Sequence, residues 1–182
     1  MAAPAVVTVD NLSGRWASNL SLSDSYDSIL KMQGVSWLTR KVLTASAITM
    51  RIQQSVDDQG LTHLTIESKS GSALPSSTEN RLLNDETRHA NHPIFGKITG
   101  RTRWAELSAL PSEWLASGWE TGTTRVILMT TEHLDHDAVT YQAGGLEILD
   151  GERRYVRHVE VRKGGEVLQA KLVYDYVGPL EK

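Results

Sequence analysis

The sequence predicts a mainly β protein: an antiparallel meander barrel of about ten strands with a helix-turn-helix lid directly after its first strand. Three observations carry this reading. The segment Ser25 to Gln54 reads as two short helices joined by a tight turn and running straight into a strand. Just upstream, Gly14-Arg15-Trp16 opens an earlier strand. Beyond Ile48 the hydrophobic period stays near two, broken by tight turns. A strand, a lid and then only strands describe a container, and a barrel of this kind holds a small, mostly apolar molecule.

The elements follow in order. Asn11 to Leu20 is strand-like, and Ser23 or Asp24 offers a helix N-cap with Asp27 placed for a capping box. Tyr26, Ile29, Leu30 and Gln33 fall at helical spacing, and Gly34 ends that helix because a residue without Cβ accepts a left-handed exit. Val35, Leu38 and Val42 mark a second helix, with Arg40 and Lys41 toward its C-terminal end, where the dipole favours cations. Ile48 to Gln54 alternates, Asp57-Asp58-Gln59-Gly60 is a hairpin turn, and Leu61 to Lys69 returns. Gly71 to Pro75 reads as loop, Thr78 to Leu83 as a short strand and Asn84 to Pro93 as polar loop. Phe95 to Glu106 alternates again, and Leu107 to Gly122 breaks the rhythm, with a helical turn beginning at Pro111. Thr123 to Glu132, Val139 to Ile148, Glu152 to Arg162 and Glu166 to Val177 are four further strands.

With 182 residues the chain fits one domain, residues 1–182, with 1–10 expected to be a flexible N-terminal segment. A net charge of −3 favours neither nucleic acid nor an anionic membrane surface. Cysteine is absent, which removes disulfides, thiolate catalysis and Cys-ligated metal sites and favours a reducing compartment. The start, MAAPAVVTVDN, has no basic n-region, and no apolar run approaches the ~20 residues that span a bilayer. The expectation is a soluble, cytoplasmic protein.

Tyr26-Asp27, Gly34-Val35, Arg40-Lys41 and the strand running to Gln54 resemble the helix-turn-helix segment of intracellular fatty-acid-binding proteins, and Gly14-x-Trp16 resembles the first-strand motif of the calycin superfamily. The likeness holds through about Ser68, weakens up to Gly122 and returns over the last two strands. A looser resemblance is to lipocalin-like single barrels of fungal secondary metabolism, some of which are cyclases or isomerases. The fatty-acid-binding family implies an Arg-x-Tyr pair on the last strand for the ligand carboxylate. Here Leu172 stands in the arginine position and Tyr174 is kept, while Lys171 points outward on strict alternation. Without its cation such a site disfavours a carboxylate, so the barrel carries over and the fatty-acid ligand does not.

The last strands are rich in hydrogen-bonding groups. Arg153, Tyr155 and Arg157 share one face of a strand and Arg154, His158 and Glu160 the other, with parity alone silent on which is inside. The resemblance makes Leu172, Tyr174 and Tyr176 an inward set. Tyr174, Arg157 and His158 are the candidate catalytic residues, since phenols, guanidinium and imidazole can polarise a carbonyl or move a proton. The candidate ligand-binding residues are Trp37, Met50, Arg101, Arg103, Trp104, Tyr141, Tyr155, Leu172 and Tyr176. Arg101 and Arg103 are either buried anion clamps or a solvated stripe. Trp37 suits a portal, and Trp104, Trp114 and Trp119 could wall a cavity or simply pack.

The pairs His89-x-x-His92 and His133-x-x-His136 put i and i+3 on opposite strand faces, so neither is a shared ligand set and no metal is expected. His92, before Pro93, can still reach the barrel mouth as an acid or base. Nucleotide loops and the Gly-x-Ser-x-Gly nucleophile motif are missing, so no cofactor is expected.

Two functions compete: a cofactor-free isomerase or cyclase of secondary metabolism, pericyclic or dehydrating, acting on a folded polyene or polyketide, and a carrier that shields a lipid or other hydrophobic metabolite. The enzyme is favoured. The partner implied is a hydrophobic small molecule, with no nucleic acid and no stable membrane insertion; a homodimer stays open.

Overall fold

The structure, a computed structural model, describes residues 2–71 and 76–181. Ten strands form one antiparallel sheet: β1 Gly14–Ser18, β2 Ile48–Val56, β3 Thr62–Ser70, β4 Ser77–Leu82, β5 Arg88–His92, β6 Gly96–Glu106, β7 Arg125–His133, β8 Ala138–Leu149, β9 Glu152–Lys163 and β10 Glu166–Gly178. Their order is β4-β3-β2-β1-β10-β9-β8-β7-β6-β5, a meander rolled so that first and last strands pair. The sheet curls into a barrel left open between its edges, β4 and β5. One point bridges the gap: Arg81 donates to the Thr102 hydroxyl at 3.2 Å, and the Asp85 amide to the Thr102 carbonyl at 3.0 Å.

Period-two alternation buries one face of each long strand. Trp16, Met50, Ile52, Leu64, Ile66, Ile127, Met129, Tyr155, Tyr174 and Tyr176 form the main core, with Trp104 and Leu172 packed against it. Trp16 is fully buried against the rings of Tyr155 and Tyr176. The N-terminal segment, expected to be flexible, joins this core instead. Ala3 and Val7 are buried, the Ala3 amide donates to Arg153 at 2.7 Å, and Arg153 gathers the Pro4 and Val7 carbonyls. Burial of two apolar side chains and satisfied backbone groups hold it there.

Helices α1 Asp27–Met32 and α2 Trp37–Ala45 form the lid. Leu30, Val35 and Leu43 pack with Ile94 and Phe95 of the β5–β6 hairpin. Gly34 is required at the turn: its φ is +84°, and a Cβ there would meet the His136 ring at 2.0 Å. The expected cap at Ser23 or Asp24 is not formed. Those residues serve β10, with Ser23 accepting from the Val173 amide and Asp24 exchanging bonds with Lys171, while Ser36 caps α2. Trp37 is 63% exposed. Trp37→Ala should therefore shift stability by about 0.5 kcal/mol or less in thermal melts, and alter ligand entry instead.

Two further differences concern the middle of the chain. Arg88–His92, expected as loop, is a strand; it is exposed along most of its length and pairs with β6 through its backbone. Most of the Gly71–Pro75 loop lies outside the described residues. The stretch from Leu107 to Gly122, containing helix α3 Glu113–Ala116, lies across the outer face of β7, β8 and β9, burying Leu115 with Val126 and Ala143. Among the described residues no helix is long and apolar enough to cross a membrane.

Candidate functional site

The alternation of β9 decides what faces inward. Tyr155 and Arg157 belong to the inner face and His158 to the outer one. Arg157 donates from Nε to the Tyr155 hydroxyl at 3.0 Å and approaches the Met50 sulfur at 3.6 Å. Its guanidinium lies over the rings of Tyr155 and Tyr174, 5.5 and 5.6 Å from their centroids. Gly144 on β8 makes room, since a Cβ there would stand 2.8 Å from the Tyr155 hydroxyl. Burial alone would make this arginine easier to deprotonate, but the phenols of Tyr155 and Tyr174 and the Glu79 carboxylate outweigh it and hold its pKa above the ordinary value. Arg157 is a permanent cation inside the barrel. Burial raises the Tyr174 phenol despite the nearby Arg157, so it stays protonated.

A cavity of about 400 Å³ opens toward the β4–β5 gap. Its polar lining includes Gln33 from the lid, Glu79 and Arg81 from β4, His92, Thr102, His133, Thr140 and Gln142. Glu79 and Arg81 form an ion pair on one side of the gap. Burial would raise the Glu79 carboxyl, yet Arg81 and Arg157 hold it below its usual value, so it stays ionised. Gln33 donates to the Thr140 hydroxyl, which also contacts His133 Nε2, both at 2.9 Å. Burial, with His136 and His92 nearby, pushes His133 down to about 4, leaving it neutral. Among the described residues no three of His, Cys, Asp or Glu converge as a metal site.

The predicted residues thus divide. Tyr155, Arg157, Tyr174 and Met50 come together, and Leu172, Tyr176 and Trp104 belong to the same inner wall. Arg101 lines the cavity rim and, with Arg103, stands 4.0 and 3.8 Å from Asp85, so the pair is a half-solvated stripe rather than a buried clamp. Two expectations fail by position, and a third residue lies on the surface of the lid. His158 lies outside the barrel, stacked between Trp114 and Trp119 and bonded to Glu147. Tyr141 is also outside, with Arg162 above its ring, because the inner positions of β8 are Thr140, Gln142 and Gly144. Trp37 projects to solvent. Arg81, Gln142, Thr140 and Gln33 were not predicted; the shared parity of Glu79 and Arg81 on a short strand was the available signal.

This geometry defines a β-barrel with a two-helix lid and an internal cavity, and solved structures share that fold. The REP1-NXSQ fatty acid transporter aligns over 93% of this chain and 98% of its own, with TM-score 0.57 and 17% identity. An Echinococcus granulosus fatty-acid-binding protein aligns over 91% and 97%, with TM-score 0.53 and 17% identity. The fluorescent protein UnaG aligns over 91% and 96%, with TM-score 0.57 and 18% identity. At these identities the likeness is one of fold, the fold of a fatty-acid-binding protein. Sequence relatives are more specific. The chain is 41% identical, over 98% of its length and 96% of the relative's, to the protein named "Probable pericyclase scpY" of Mollisia scopiformis. It is 40% identical, over 98% of both chains, to "Pericyclase pydY" of Acremonium sp. The chain belongs to the family of these fungal pericyclases. No protein-family model matches it.

Proposed function

We propose that the protein is a cofactor-independent pericyclase of secondary metabolism, acting in the cytoplasm on an oxygenated hydrophobic chain folded inside the barrel. The observation that carries this reading is Arg157, a permanent cation supported by a phenol hydroxyl and set among apolar side chains. Kinship with named pericyclases favours a pericyclic step over ligand binding alone.

A pericyclic step makes and breaks its bonds in one cyclic array, so it draws no electrons or groups from a second reagent. Two things lower its barrier. Holding the reacting ends together supplies several kcal/mol, and the cavity of about 400 Å³ is within the range of small-molecule sites. A fixed donor on a conjugated carbonyl stabilises the charge that shifts onto its oxygen in the transition state. Arg157 is the candidate donor, Tyr155 positions it, and Tyr174 offers a protonated phenol beside it.

The test is to incubate the purified protein with an organic extract of its source and follow bound and free fractions by mass spectrometry. A compound consumed into a new peak of equal mass supports the pericyclase. A compound retained at one per chain and recovered unchanged makes the protein a carrier. Tyr174→Phe should keep the melting temperature within a few degrees and lower turnover about tenfold, in the range for one hydrogen bond to a developing charge. Equal turnover in that variant would take the Tyr174 hydroxyl out of the site.

A further inference from the structure

A histidine at the cavity mouth is held in one tautomer by the backbone around it. His92 ends β5 and precedes Pro93. Its Nδ1 accepts from the Ile94 amide at 3.1 Å and the Phe95 amide at 3.4 Å. A nitrogen that accepts carries no proton, so in the neutral ring the proton sits on Nε2. The ring lies against Phe95, tilted by 36° with centroids 4.8 Å apart, and it lines the cavity together with Glu79 and Arg81. The turn therefore presents a ring N–H at the mouth of the β4–β5 gap, and Glu79, which lines the same cavity, stands near both His92 and Arg157.

We propose that His92 Nε2–H is a second binding pole, donating to a neutral oxygen of the substrate at the cavity mouth. The substrate is then a hydrophobic chain with two oxygen functions, one directed to Arg157 and one to His92. The second is a ketone, ester or amide carbonyl, an oxygen that accepts from a neutral ring N–H. Burial depresses the ring's basicity, and although Glu79 opposes this the balance stays below the ordinary histidine value, so His92 offers a donor without a charge. This inference rests on the reading that the barrel cavity holds the substrate.

Asparagine separates the two jobs of His92. Its side-chain oxygen can accept from the backbone amide two residues on, as in an Asx turn, and so preserve the turn, while its shorter side chain draws the remaining amide donor back from the position of Nε2. The probes are acetophenone and its isostere α-methylstyrene, in which a methylene replaces the carbonyl oxygen. In titrations followed by NMR, the wild-type protein should prefer the ketone, and its His92 Nε2 resonance should move with the ketone alone. In His92→Asn the preference should fall about fivefold, the worth of one neutral hydrogen bond, with the melting temperature kept. An unchanged preference, or a wild-type spectrum with the proton on Nδ1, overturns the proposal. Failure of the wild-type protein to bind either probe would instead count against the cavity as the binding site, and with it against the proposal's premise.

Discussion

Arg157→Leu should lower turnover about 100- to 1000-fold while the barrel still folds, the loss typical of removing one preorganised donor at a developing charge. Leucine keeps an apolar body against Met50 and the two tyrosine rings and removes the guanidinium alone. The Tyr155 hydroxyl loses the N–H it accepts, but as a phenol it can turn toward the lumen. Glu79 keeps its direct partner, Arg81, so no buried carboxylate is stranded. Arg157→Lys should fall between the two: it restores the charge but not the planar donor fork. The measurement is kcat/KM for the equal-mass product beside a thermal melt. Wild-type turnover in Arg157→Leu would place the reacting carbonyl elsewhere and leave the guanidinium a structural prop for Tyr155.

The contrast between Arg157 and its neighbour His158 shows where the sequence stopped being legible. Alternation sorts β9 into two sets with certainty, but its sign depends on how the sheet curls, which no local pattern encodes. On β10 the family likeness supplied the sign, and Leu172, Tyr174 and Tyr176 are inward. On β8 and β9 nothing did, so Tyr141 and His158 were carried as site residues from the wrong face. The outer face is itself buried there, by the Leu107–Gly122 segment, so polarity could not reveal it either: Glu147, His158 and Glu160 are each 1% exposed. Strand Arg88–His92 was illegible for the opposite reason, being polar on both faces and held by backbone pairing. The lid, by contrast, was readable because helical spacing, Gly34 and the change of period at Ile48 agree with one another.

Glu147→Ala should destabilise the fold by about 3–5 kcal/mol, the cost of breaking a buried charge network by removing one partner. One carboxylate oxygen meets His158 Nε2 and the other accepts from Lys171 Nζ at 2.8 Å. His158 Nδ1 donates to the Trp114 carbonyl at 3.0 Å, so a second proton must lie between Nε2 and Glu147. The carboxylate thus ties β8, β9, β10 and the segment bearing α3 into one unit, with the imidazole stacked between Trp114 and Trp119. Alanine leaves that polar centre without its acceptor in a site closed to water. For a chain of this size the melting temperature should drop by about 10 °C. Glu147→Gln, which keeps an acceptor and adds a donor, should lose less. Because the cluster and Arg157 occupy opposite faces of β9, the surviving folded protein should turn over substrate near the wild-type rate below its new transition. Loss of turnover with an unchanged melt would show instead that the outer face takes part in the chemistry, and that β9 serves the reaction from both sides.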